Sequence, residues 1–146
     1  MWSNFNAKVF LCFVSFVFSF CVLSQPNLVQ GPFKIDGDDT VFIQREIDIN
    51  YPLALYFKSD SRVNKSDTYE VNGSNPNIET VFFTNIKNDK NIIFLISWQQ
   101  KYTAEGISRN SYQVYGYTYN ENTLIINRII TNDPKLSGLD GEYGGK

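Results

Sequence analysis

The side chains best suited to recognition in this chain are aromatic, and they are clustered. Trp98 is followed by Tyr112, Tyr115, Tyr117 and Tyr119. Tyr115, Tyr117 and Tyr119 are spaced by two, which puts them on one face of a strand. Tyrosine joins a flat apolar ring to a hydroxyl, a combination suited to protein interfaces and to stacking on sugar rings. The same spacing equally fits cross-strand aromatic packing with hydroxyls at the rim, and that reading is favoured. Trp98, Tyr115, Tyr117 and Tyr119 are nevertheless the candidate contact surface.

Carboxylates are the second group with chemical potential. Lys34-Ile35-Asp36-Gly37-Asp38-Asp39-Thr40 gathers three acids around a glycine, and oxygen clusters of this kind can hold calcium. A calcium loop needs ligands at fixed offsets and a glutamate at its twelfth position, whereas this segment runs into a strand. A solvated acidic turn is the expectation, and Asp140-Gly141-Glu142 reads as a second turn. Two carboxylates about 5 to 9 Å apart could hydrolyse a glycosidic bond, but no spacing in the sequence singles out such a pair.

Other chemistry is excluded by composition. The chain has no histidine, and its two cysteines, Cys12 and Cys21, both lie in the N-terminal apolar run. From Gln25 onward there is neither imidazole nor thiol, which removes Ser-His-Asp and Cys-His nucleophiles, the usual zinc sites, His-held haem or copper, and any internal disulfide. No catalytic residue, metal or cofactor is assigned, and the chain is read as non-enzymatic. With 13 basic and 15 acidic residues, a formal net charge of -2 and no basic run, it is not expected to bind nucleic acid.

The elements that must position the aromatics are strands. Thr40 to Ile49 alternates Val41, Ile43, Ile47 and Ile49 against polar neighbours, so these four are expected in the core, with Arg45 snorkelling at an edge. Leu53 to Lys58, Thr68 to Val71, Ile78 to Asn85, Ser111 to Tyr119 and Leu124 to Thr131 also read as strands. Asn91 to Gln99 carries a nearly continuous apolar run and reads as a strand buried on both faces. Gln25 to Gly31 reads as an extended lead-in, Ser59 to Asp67 and Gln100 to Asn110 as loops, Tyr119 to Thr123 as a hairpin connection, and Asn132 to Lys146 as turn-rich. The expected fold is all-β, an antiparallel sandwich or open barrel of six or seven short strands. An α+β fold is the alternative if a C-terminal helix is missing from this chain, which would then be the front part of a longer protein.

Residues 1–24 read as a signal peptide: Lys8, an apolar stretch over 9–23, then Ser24. Cleavage is expected between Ser24 and Gln25, leaving 25–146 as a single antiparallel β domain. The 15-residue apolar stretch falls short of the roughly 20 residues that cross a bilayer, so no stable membrane anchor is expected after cleavage. The domain is placed in the periplasm or outside the cell.

Three segments, Ile92-Ile93-Phe94-Leu95-Ile96-Ser97-Trp98, Tyr112-Gln113-Val114-Tyr115-Gly116-Tyr117 and Leu136-Ser137-Gly138-Leu139-Asp140-Gly141, together resemble small periplasmic immunity-type proteins associated with bacterial contact-dependent or type VI toxins. The resemblance covers about a third of the chain and includes no catalytic motif. It implies a protein partner, a toxin neutralised by occlusion of its active site, and transfers no role to any single residue. A carbohydrate- or cell-envelope-binding module, using the same aromatics as stacking platforms, is the alternative.

Overall fold

Alternation of apolar and polar residues, interrupted by two-residue turns, produces two antiparallel sheets packed face to face. The computed structural model describes residues 27–102 and 107–142. The expected signal peptide, its cleavage point and the last residues of the chain lie outside these.

The first sheet is a meander of β1 (Leu28–Asp36), β2 (Asp39–Arg45), β3 (Leu53–Ser59) and β4 (Arg62–Tyr69) in that spatial order. The second runs β5 (Asn77–Ile86), β6 (Asp89–Tyr102), β7 (Ile107–Asn120) and β8 (Thr123–Ile126), and β9 (Gly138–Glu142) pairs with the other end of β7. Lys87 and Asn88, like Glu121 and Asn122, all have positive φ. Paired left-handed residues twist a two-residue turn to match the strands it joins, which explains the tight β5–β6 and β7–β8 hairpins.

The core lies between the sheets. Val41 and Ile43 of β2 and Leu55 and Phe57 of β3 face Ile92, Phe94 and Ile96 of β6, all buried. The fold is therefore an all-β sandwich, as the alternation predicts. Asn91 to Trp98 is buried along almost its whole length, because Ile93, on the face away from the core, is also covered.

The structure departs from the sequence reading at several elements. There are nine strands among the described residues, not six or seven. β1 begins within the stretch read as a lead-in, β4 occupies the stretch read as a loop, and β9 lies in the turn-rich C-terminal part. All three lie at sheet edges, where one side of the strand faces water and polar residues are tolerated. β6 and β7 also extend into the expected loop at 100–110. The strand expected over Leu124 to Thr131 divides instead. β8 stops at Ile126, Asn127 caps a four-residue helix, α1 (Arg128–Thr131), and its side-chain oxygen accepts from the Ile130 N–H. This turn sets Ile130 over Gly116, where a Cβ would lie 2.7 Å from the isoleucine.

Candidate binding surface

The tyrosine face points inward. Tyr117 pairs across the sheet with Ile92 and Tyr115 with Phe94, and paired residues share a face, so both tyrosines follow these core residues into the sandwich. Tyr117 is 1% exposed, and its ring meets Phe94 edge-on at 5.7 Å. Its hydroxyl donates to Asp67 Oδ2 at 2.6 Å. Because that proton is committed, the Tyr69 hydroxyl, 2.9 Å away, must be the donor to Tyr117. Tyr115 is half-buried, edge-on to Tyr69 at 5.0 Å. Trp98 is 3% exposed, and its indole N–H donates to the Glu70 carbonyl at 2.8 Å. Tyr119 reaches the rim, where its hydroxyl has Asp39 Oδ2 at 2.9 Å and Asn122 Oδ1 at 3.1 Å as acceptors.

These contacts join β6 and β7 of the second sheet to the first sheet and the segment just after β4. Burial pushes the Tyr69 and Tyr117 hydroxyls well above the ordinary tyrosine range. The Tyr115 hydroxyl is pushed up to about 12 by burial first, then by the charges of Asp67 and Glu70. As a contact surface for a partner, Trp98 and Tyr117 are thus corrected: they are interior groups with satisfied polar atoms. The cross-strand packing reading describes this set.

What the molecule does present to solvent is a loop that the sequence reading placed in the core. β2 ends at Arg45, so the alternation through Ile47 and Ile49 continues outside any sheet. Ile47 is 99% exposed and Ile49 82%. The loop between β2 and β3 is nevertheless ordered by its own hydrogen bonds. Asp48 Oδ1 accepts the N–H groups of Asn50 at 2.8 Å and Tyr51 at 3.2 Å. The Glu46 N–H donates to the Pro52 carbonyl, and the Val71 N–H donates to that of Asn50. At its base the Glu46 carboxylate accepts from the Tyr56 hydroxyl and from Lys65 Nζ at 3.0 Å. The tyrosine hydrogen bond first, and the lysine second, hold the Glu46 carboxyl below its usual range. Tyr51 and Val71 flank the loop with partly exposed apolar surface. The signal that could have ended the strand earlier is Asp48 two residues before Asn50, followed by Pro52: an aspartate turn, then a residue that cannot donate to a ladder.

Two further surface features carry recognisable chemistry. On the outer face of the first sheet Phe42 and Tyr56 stack at 5.5 Å with 9° between their planes, and Lys65 Nζ lies 5.6 Å from the Tyr56 ring centre. Between β1 and the β5–β6 hairpin lies an open cleft of about 260 Å³, lined by Lys34, Ile35, Phe83, Lys90 and Ile92 among others. The acidic turn divides its charges: Asp36 pairs with Lys90 at 3.2 Å, whereas Asp39 accepts from Tyr119. Among the described residues no three acidic, histidine or cysteine side chains are grouped to hold a metal ion.

Comparison of the chain with protein-family models, with curated proteins and with solved structures finds no match. Among the described residues, no helix is long and apolar enough to cross a membrane.

Proposed function

We propose that this chain is an exported, non-enzymatic binding domain whose ligand is another protein, acting as a periplasmic immunity protein that occludes the active site of a toxin. The observation that supports this reading is the ordered loop bearing Ile47 and Ile49. Burying a side chain of this size is worth about 1.5–3 kcal/mol, and a loop already held in place loses little further entropy on docking. Two adjacent apolar anchors on a preorganised projection suit insertion into a concave cleft, the shape an enzyme active site offers. The absence of imidazole and thiol from Gln25 onward is in keeping with a role in binding.

The test is affinity co-purification of the tagged chain from the envelope fraction of its host, beside a variant carrying Ile47→Asp and Ile49→Asp. A protein held stoichiometrically by the parent and lost from the variant is the expected result. Equal retention by both would remove the loop from the interface.

A second reading, a carbohydrate- or cell-envelope-binding module, is favoured by the Phe42–Tyr56 pair on the outer face of the first sheet. Stacked rings beside Glu46 and Lys65 offer an apolar platform with polar groups at hand. Retention of the chain on purified peptidoglycan, abolished by Phe42→Ala, with no protein partner recovered, would decide for it.

A further inference from the structure

Asparagine is chemically labile where the next backbone nitrogen can attack its side chain. A following glycine crowds that approach least, because it has no Cβ. Among the asparagines of this chain only Asn72 precedes a glycine.

The fold exposes this pair and holds its second member to glycine. Asn72 and Gly73 lie in the connection between β4 and β5, and both are exposed. Gly73 has a φ of +73°, and a Cβ there would fall 2.2 Å from Gln100 Oε1, so backbone conformation and packing both require glycine. Among the described residues the Asn72 side-chain amide has no hydrogen-bond partner, and the Gly73 N–H donates to none. Both reacting groups are therefore free, while the backbone around them is tied. The Asn72 N–H donates to the Ser74 carbonyl at 3.1 Å, and Gln100 Nε2 donates to the Asn72 carbonyl at 2.7 Å. The Gln100 bond draws negative charge toward that carbonyl oxygen, which belongs to the same peptide group as the Gly73 nitrogen, and so favours loss of the Gly73 proton.

We propose that Asn72 is a site of spontaneous deamidation in the folded chain. The Gly73 nitrogen gives its proton to hydroxide and forms a bond to Asn72 Cγ. The side-chain nitrogen takes a proton from water and leaves as ammonia, and a succinimide ring remains. Water then opens the ring at one of its two carbonyls. Breaking the bond from nitrogen to Cγ leaves aspartate; breaking the bond from nitrogen to the backbone carbonyl carbon leaves isoaspartate, with the main chain routed through Cβ and Cγ. Water and hydroxide are the co-reactants, and nothing is oxidised or reduced. Either product sets a new carboxylate next to Val71, whose N–H donates to the Asn50 carbonyl and ties down the Ile47 loop. Isoaspartate also lengthens the main chain by one atom at that point, which loosens the tie. The inference holds whatever the loop binds.

Mass spectrometry of the full chain, incubated folded and then digested, tests the site. Ring closure follows the deprotonated nitrogen, so conversion at Asn72 should rise about tenfold from about pH 7 to about pH 8. It should lead conversion at every other asparagine and yield isoaspartate, read by enzymatic methylation of the isoaspartyl carboxylate. Asn72→Gln, whose longer side chain closes a less favourable ring, should abolish the methylation. The rate in the folded chain should lie within about tenfold of that in urea, a difference of no more than about 1.4 kcal/mol in barrier. Asn72 left intact while another asparagine converts overturns the proposal. So does methylation undiminished in Asn72→Gln, or a folded rate more than about tenfold below that in urea, which would show that the turn protects the pair. In the isoaspartyl form, separated by chromatography, the Val71 N–H should exchange with solvent deuterium at least about ten times faster than in the parent. Equal exchange would overturn the link to the loop.

Discussion

Tyr117 sits where three constraints meet: a ring that fills the core, a hydroxyl that must find partners away from water, and an Asp67 carboxylate that needs donors. Tyr117→Phe keeps the ring and removes the link, leaving Tyr69 without its acceptor and Asp67 Oδ2 without the hydroxyl that donates to it, while Oδ1 keeps the Thr68 N–H. An unfolding free energy lower by about 1–3 kcal/mol is expected in urea titration. Alkali acts on the same network. Tyr69 and Tyr117 remain protonated in the fold well above the pH at which an unfolded tyrosine ionises. Their contribution to stability is complete below about pH 10 and falls as pH rises further, because the unfolded chain releases protons that the folded one retains. Each group contributes a slope of about 1.4 kcal/mol per pH unit in that range. Tyrosinate absorbance should therefore rise for these two residues together with loss of the fold; ionisation of all tyrosines with the far-ultraviolet circular dichroism intact would contradict it. The spacing of Tyr115, Tyr117 and Tyr119 gave their common face in advance. Which way that face points was not legible, because it follows from pairing with Ile92 and Phe94, more than 20 residues away.

Between residues and fold stand the elements, and their visibility in the sequence follows their place in the sheets. β2, β3, β5, β6 and β7 declare themselves through alternation or continuous apolar runs. β1, β4 and β9 have a water-facing edge and a composition that reads as loop, so only their partners reveal them. α1 depends on a single cap and on the space above Gly116. Gly116→Ala would drive a Cβ into Ile130 and shift the helix, with an expected loss of about 1–3 kcal/mol that Ile130→Ala partly reverses in the double variant. If the two losses simply added, the contact would not be their cause. The β2–β3 loop should behave in the opposite way. Ile47→Asp with Ile49→Asp touches no buried contact and should change unfolding free energy by no more than about 0.5 kcal/mol, which is what makes the pair a clean probe of binding.

At the scale of the whole molecule, the two sheets are joined by side chains reaching across the core: Tyr117 to Asp67 and Tyr69, Trp98 to the backbone at Glu70, and Tyr119 to Asp39. Neither sheet can open without exposing the other's apolar face. Unfolding followed by the fluorescence of Trp98, the sole tryptophan after residue 24, should coincide with that followed by far-ultraviolet circular dichroism; separated midpoints would show that the sheets come apart independently. The sequence by itself determined the class of fold, the principal strands, and the chemistry withheld from the chain after Gln25. Those properties are local or compositional: a period of two, turn residues between strands, and the absence of histidine and thiol. Only the tertiary structure decided that the tyrosine face is interior and that Ile47 and Ile49 lie outside the core. Each of these depends on where a strand stops and on what pairs with it, and a strand whose two faces are both plausibly apolar carries no local mark of which one the second sheet will cover.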